Sequence, residues 1–147
     1  MAAHHDIPSW KVWLARAAVL LVFGWNVLCA LQFFLVPGDY APAYGLAVTP
    51  ENEALVAGLG VAFLMWNVTY PAVIANPVKF KALFVVVLVQ QLVGLVGESV
   101  IWFRLSDASL ASSAIADGIM RFVLFDGAGL VLMLVAFCVL RNSFGKR

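Results

Sequence analysis

The chain has 147 residues, of which 64% are hydrophobic and 12% are charged, and its formal net charge is +1. Soluble domains carry about 45–50% apolar and about 25% charged residues, so a water-soluble fold of this length could not bury so much apolar surface. The small net charge excludes the basic surface that a nucleic-acid-binding protein needs. The composition therefore indicates an integral membrane protein whose main partner is the lipid bilayer.

Four apolar runs follow one another along the chain, each long enough to cross a hydrocarbon core about 30 Å thick as an α-helix. They predict transmembrane helices over residues 10–36, 54–75, 82–103 and 119–140. The segments between them hold turn and cap residues, and Thr49 or Asn52 is expected to cap the second helix. We predict an all-α fold, in which residues 1–147 form a single membrane domain, a four-transmembrane-helix bundle.

Lysine and arginine residues collect on one side of the predicted membrane. That side holds Lys11, Arg16, Lys79, Lys81, Arg141, Lys146 and Arg147. The loops on the opposite side hold acidic residues such as Asp39, Glu51 and Glu53, with Arg104 as their basic companion. Because basic loops are retained in the cytoplasm, we expect the N and C termini to be cytoplasmic.

A layer of polar residues is predicted in the inner half of the membrane. Its members are Trp25, Asn26, Trp66, Asn67, Gln90 and Gln91. The amides lie roughly 12–14 Å from the cytoplasmic edge at about 1.5 Å per residue. The tripeptide Trp-Asn-Val occurs twice, at 25–27 and 66–68, on neighbouring antiparallel helices. The layer is either a set of interhelical hydrogen bonds, worth about 0.6 kcal/mol each, or the polar floor of a ligand cavity.

Ionisable residues are predicted nearer the outer ends of the third and fourth helices, where Glu98, Arg121 and Asp126 lie. Such residues are costly inside a bilayer, so they normally face protein or water and are paired. Arg121 is one helical turn from Asp117 and is expected to reach it or Glu98. Asp126 is expected either to find a partner on the first or second helix, with Gln32 as the candidate, or to stay protonated in an apolar setting. These residues are either structural pairs or a ligand or proton site.

Glycines accompany both carboxyl groups along the helices. Gly94 shares a stripe of the third helix with Glu98, and Gly129 shares a stripe of the fourth helix with Asp126. Small residues let membrane helices approach closely, so both carboxyls are expected to point toward helix interfaces.

The second helix carries its own markers of close packing and bending. Gly58 and Gly60 are expected to allow a close approach to a neighbouring helix. Pro71 is expected to kink the helix near the inner boundary, since proline lacks the backbone N–H.

No reaction motif emerges from the sequence. His4 and His5 are the only histidines and lie in a polar tail, so no metal site is predicted. The serines between 106 and 113 have no histidine base on that side, which leaves nucleophilic catalysis without support. Cys29 and Cys138 lack CxxC spacing and are predicted at different depths, which disfavours a thiol oxidoreductase. A role without catalysis is favoured.

Several features of the first half of the chain resemble the DoxX-like group of small four-helix bacterial membrane proteins. They are Arg16 ahead of a span containing Gly24, the exit through Val36-Pro37-Gly38 into an aromatic loop at 40–46, and the opening of the second helix at 58–66. The resemblance implies a multi-pass protein of the bacterial inner (plasma) membrane. Members have diverse roles, including subunits of quinone-linked oxidoreductases, so the family does not specify one activity.

Three functional hypotheses remain open. The leading one is a non-catalytic subunit that docks with other membrane subunits or with itself, or that binds a lipid-like ligand such as a quinone, a carotenoid or a lipid. The second is a proton-coupled carrier in which Asp126 or Glu98 titrates. The third is a membrane enzyme that acts on an isoprenoid or lipid, with one of these carboxyls as general acid or base.

Overall fold

The computed structural model describes residues 7–107 and 113–141, and this part of the chain is helical without β-strands. The elements are α1 (Ser9–Leu35), α2 (Pro37–Tyr40), a 3₁₀ turn (Ala41–Tyr44), α3 (Pro50–Trp66), a 3₁₀ turn (Asn67–Thr69), α4 (Tyr70–Ala75), α5 (Lys81–Asp107) and α6 (Ser113–Arg141). Four segments are long and apolar enough to cross a membrane, namely α1, α3 with α4, α5, and α6. The predicted all-helical fold with four such helices is confirmed, and the orientation of the termini stays a prediction. His4, His5, Lys146, Arg147 and residues 108–112 lie outside the described residues.

The four spans run alternately up and down. The start of α1, the end of α4, the start of α5 and the end of α6 meet in one apolar cluster, which includes Ala15, Val73, Phe84 and Leu140. We call this end of the bundle the basic end, because Lys11, Arg16, Lys79, Lys81 and Arg141 lie there. The opposite end, where α2 and the Ala41–Tyr44 turn connect α1 to α3, is the loop end.

Packing is uneven around the bundle. The pairs α1 with α3 and α5 with α6 have the most extensive contacts, and α1 also packs against α4 and α6. On its other side α5 packs against α4, the half of the second span nearest the basic end. The space enclosed by α1, α3, α5 and α6 contains the candidate site.

A cluster of aromatic side chains closes the loop end. Phe33 of α1 is buried, and its ring centroid lies 5.1 Å from that of Tyr40 and 6.0 Å from that of Tyr44. Gly45 follows with a φ of 70°, a left-handed conformation that glycine adopts without strain. This turn lies against Ile115 at the start of α6, so the connection between α1 and α3 folds back over the bundle.

The second span begins at Pro50 and is interrupted at Asn67–Thr69. Thr49 caps it, since its hydroxyl accepts from the Asn52 backbone N–H at 3.3 Å, whereas the Asn52 amide donates to the Ala47 carbonyl. Pro71 has no N–H for the Asn67 carbonyl, and that carbonyl accepts from the Tyr70 N–H instead. The second span is therefore interrupted beside Pro71 by a 3₁₀ turn, and the predicted kink of its axis stays a prediction.

One of the two glycines expected at a close helix contact has that role. A Cβ on Gly60 would lie 2.6 Å from the Ala30 carbonyl oxygen and 2.8 Å from the Phe34 nitrogen, so α3 rests directly on the backbone of α1. Gly58 has nothing within 4 Å of its Cβ position, and the expectation for it was wrong because it lies on the exposed side of α3.

The helices extend beyond the apolar runs at the loop end. α3 begins at Pro50 rather than at residue 54, and α6 begins at Ser113 rather than at residue 119. Polar residues at helix ends can continue the helix into the membrane interface, where water satisfies their side chains.

Candidate functional site

A cavity of about 280 Å³ lies between α1, α3, α5 and α6, and we call it the acidic cavity. Its polar lining consists of Asn26, Cys29, Asn67, Gln90, Gln91, Glu98 and Asp126. Its apolar lining consists of Trp25, Phe63, Trp66, Val93, Gly94, Gly97, Ile101, Phe122 and Phe125. Members of both polar layers expected from the sequence therefore line one cavity. From Gln90 to Ile101 it follows α5 for about 16 Å, at about 1.5 Å per residue.

A chain of hydrogen bonds fixes the carboxyl of Asp126. The Tyr70 hydroxyl donates to Gln91 Oε1 at 3.3 Å, and Gln91 Nε2 donates to Asp126 Oδ1 at 2.6 Å. Tyr70 and Gln91 are both almost fully buried, so the chain is shielded from solvent. The partner of Asp126 is thus Gln91 on α5, and the expectation that Gln32 of α1 fills this role was wrong.

Glycines make room for this carboxyl, as the sequence predicted. A Cβ on Gly94 would overlap Asp126 Oδ2, so only glycine allows α6 to bring the carboxyl this close to α5. A Cβ on Gly129 would lie 3.2 Å from Val22 and 3.3 Å from Gln91 Nε2. Asp126 therefore points into the interface between α5 and α6.

Gln90, which precedes Gln91 on α5, forms hydrogen bonds with the interrupted second span. In an α-helix the Tyr70 N–H would bond to the Trp66 carbonyl, but here it bonds to the Asn67 carbonyl. The released Trp66 carbonyl accepts from Gln90 Nε2 at 3.1 Å, and Gln90 Oε1 accepts from the Thr69 hydroxyl at 3.1 Å. Both ends of the Gln90 amide are therefore used within the protein.

Two acceptors of the acidic cavity have no hydrogen-bond partner in the protein. Asn67 is only 3% exposed, and its Nδ2 donates to the Phe63 carbonyl at 2.7 Å. This bond fixes the amide orientation, which leaves Asn67 Oδ1 buried and unpaired. Glu98 Oε2 is likewise buried without a donor. Buried polar atoms without partners are rare in folded proteins, so both point to a ligand or water within the cavity.

The wall between α3 and α5 reaches the surface of the bundle. Trp66 is 36% exposed, Val93 54% and Ile101 49%, and all three line the acidic cavity. The surface of a transmembrane span faces lipid, so this wall borders the hydrocarbon region. The side chains along it are apolar, whereas the carboxyls and amides lie behind it.

Arg121 and Gln32 belong to a different space. They line a second cavity of about 340 Å³ between α1, α6 and the loop end, which we call the arginine cavity. Among the described residues, Arg121 forms no ion pair with Asp117 or Glu98, so the expected pairing was wrong. The reason is rotation of α6, which turns Asp126 toward α5 and Arg121 toward the arginine cavity.

The two cavities share a wall formed by Trp25, Cys29, Phe122 and Phe125. Trp25 of α1 stacks on Phe125 of α6, with ring centroids 5.7 Å apart. Tyr44 lines the arginine cavity, and burial, followed by nearby Cys29 and Glu98, raises its pKa to about 12. The hydroxyl of Tyr44 therefore keeps its proton at physiological pH.

Comparison with protein families, characterised proteins and solved structures finds no match for this chain. The resemblance to DoxX-like proteins accordingly stays a hypothesis from the first half of the sequence. Within the described residues, no group of three or more histidine, cysteine or acidic side chains is placed to hold a metal ion. The function must be argued from the acidic cavity itself.

Proposed function

We propose that this protein is a non-catalytic membrane protein that binds a small amphipathic ligand in the acidic cavity. The observation that carries the proposal is the pair of buried acceptors without partners, Asn67 Oδ1 and Glu98 Oε2, in one cavity with apolar walls. Ligand sites generally combine such walls with a few convergent polar groups that fix orientation. Both elements are present here.

The position of the cavity favours entry from the bilayer. Trp66, Val93 and Ile101 form an apolar wall on the lipid-facing surface between α3 and α5. A ligand dissolved in the hydrocarbon region meets this wall before it meets the polar groups. An amphipathic molecule could thus place its polar end against Glu98 and Asn67 while its apolar part stays near lipid.

The size of the cavity narrows the kind of ligand. Its volume of about 280 Å³ is near the lower end of the range of about 300–1,000 Å³ that is typical of ligand pockets. This space suits a quinone-like head group or another small amphiphile. A carotenoid, whose polyene extends across most of a bilayer, fits it less well.

Two glycines allow a direct test. Gly97 lines the acidic cavity, Gly24 lies on the exposed side of α1, and neither has any atom within 4 Å of its Cβ position. Both glycines are exposed, but only Gly97 lines the acidic cavity. Gly97→Phe should therefore obstruct the cavity at its lipid-facing wall, whereas Gly24→Phe should add the same side chain on a surface away from the cavity. We expect native mass spectrometry of the protein purified in dodecyl maltoside to show a bound small molecule in the wild type and in Gly24→Phe, and to show its loss in Gly97→Phe.

Two results would overturn the proposal. One is a wild-type protein that carries no small molecule when it is purified under these mild conditions. The other is retention of the same molecule by Gly97→Phe, which would place its binding site outside the acidic cavity.

A further inference from the structure

Three amide groups of the acidic cavity each donate a hydrogen bond to the protein. Asn67 Nδ2 donates to Phe63, Gln90 Nε2 donates to Trp66, and Gln91 Nε2 donates to Asp126. Two buried acceptors of the lining, Asn67 Oδ1 and Glu98 Oε2, receive no hydrogen bond. A ligand that satisfies these two acceptors must bring donors or positive charge.

The acidic side chains of the lining have no basic counterpart within it. Glu98 and Asp126 both line the acidic cavity, and none of the described residues that line it is lysine, arginine or histidine. The nearest candidate counter-charge from the sequence, Arg121, lines the arginine cavity instead. A buried carboxylate without a basic partner is costly, and a cation placed beside it removes much of that cost.

The aromatic groups of the lining suit a cation as well. Five of its side chains are aromatic, namely Trp25, Phe63, Trp66, Phe122 and Phe125. The faces of aromatic rings attract positive charge, and the attraction reaches about 2 kcal/mol or more where water is excluded. Aromatic cages combined with carboxylates are a recurrent means of holding quaternary ammonium groups.

From these observations we infer that the ligand of the acidic cavity is a lipophilic cation, a protonated amine or quaternary ammonium group on a small apolar body. The inference rests on the proposed ligand-binding function and specifies the chemical class of the ligand. The cationic group lies between Glu98, Asp126 and Asn67 Oδ1, and the apolar body lies against the aromatic side chains. Neutral quinones and hydrocarbons lack the charge that this lining calls for.

Two probes of the same shape, one charged and one neutral, test whether binding depends on the positive charge. Benzyltrimethylammonium and 2,2-dimethylpropylbenzene have the same outline, but only the first carries a positive charge. We expect isothermal titration calorimetry of wild-type protein in dodecyl maltoside, with protein-free micelles as the blank, to show binding of the cation. The neutral isostere should bind at least about tenfold more weakly, since a charge-assisted contact contributes about 1.5–3 kcal/mol.

Three substitutions, each of which replaces one carboxyl by an amide, test which carboxyl groups bind the cation. Glu98→Gln and Asp126→Asn keep the side-chain size and should each weaken cation binding by about tenfold. Asp126→Asn retains an oxygen that accepts from Gln91, so the protein should still fold, which its elution as a single species on gel filtration would check. Asp39→Asn removes an exposed carboxyl that lines neither cavity and should leave binding unchanged.

The inference is overturned if wild-type protein binds the two probes equally or fails to bind the cation. It is also overturned if both Glu98→Gln and Asp126→Asn bind the cation as tightly as the wild type. These results would leave the proposed function standing, because that function depends on the molecule seen by mass spectrometry and on its loss in Gly97→Phe.

Discussion

Asp126 shows how a single residue is placed by its neighbours. Its carboxyl is held by Gln91, which is held in turn by Tyr70. The sequence identified Asp126 as a buried carboxyl at a helix interface, because charge and an adjacent glycine stripe are visible in the chain. It could not identify Gln91 as the partner, because that depends on the rotation of α5 and α6 about their axes.

The contact between Gly94 and Asp126 gives a prediction at the same scale. Gly94→Ala should lower the free energy of unfolding by about 1–3 kcal/mol, because the new methyl group would overlap the Asp126 carboxyl and displace it from its hydrogen bond with Gln91. Gly97→Ala is the matched control on the same helix, where nothing lies within 4 Å of the Cβ position. Unfolding by sodium dodecyl sulfate in mixed micelles measures both. Equal stability of the two variants would mean that α5 and α6 do not meet at Gly94.

At the scale of the element, the second span is a helix in two parts joined by a 3₁₀ turn. Proline explains why it breaks, and Gln90 on α5 explains how the break is tolerated, because its amide satisfies both the Trp66 carbonyl and the Thr69 hydroxyl. Irregular backbone at membrane depth is stable only where protein or water satisfies its polar groups. The break also places the buried Asn67 in the wall of the acidic cavity.

This arrangement predicts coupling between Gln90 and Pro71. Gln90→Leu should lower the free energy of unfolding by about 1–2 kcal/mol, because the Trp66 carbonyl loses its donor. In a Pro71→Ala background the helix can continue and Tyr70 can bond to the Trp66 carbonyl, so the same substitution should cost less. A double-mutant cycle should give a coupling energy of about 0.5–1 kcal/mol. If Gln90→Leu lowers the free energy of unfolding equally in both backgrounds, the Gln90 amide does not compensate for the helix break at Pro71.

Helix number and approximate position followed from hydropathy, but the true ends did not. The apolar runs mark the part of each helix that crosses hydrocarbon, whereas α3 and α6 continue outward through polar residues to Pro50 and Ser113. The Pro71 break was predictable because its cause is local to the chain.

At the scale of the whole molecule, the orientation in the membrane gives a further prediction. Asp39 and Lys79 are exposed at opposite ends of the bundle, and the distribution of basic residues predicts that Lys79 is cytoplasmic. In a background without Cys29 and Cys138, an impermeant maleimide should label Asp39→Cys in cells with an intact plasma membrane. Lys79→Cys should be labelled only after the membrane is opened. The reverse labelling pattern would contradict the predicted orientation and would indicate that the basic end faces the outside of the cell.

The acidic cavity is the part of the molecule that the sequence indicated least directly. Its polar residues were recognised individually, but they were assigned to two layers at different depths. In a soluble helix the apolar stripe shows which side is buried, whereas these spans are apolar on nearly every side and carry no such mark. The membrane therefore hides the rotation of each helix, and the common cavity emerges only from packing.

The four spans pack as two helical hairpins, because the most extensive contacts are those of α1 with α3 and of α5 with α6. At Gly60 the second span rests directly on the backbone of α1, whereas at Gly94 α5 meets the carboxyl of Asp126 on α6. The acidic cavity lies in the seam between the hairpins. Its width therefore depends on how closely the two hairpins approach each other.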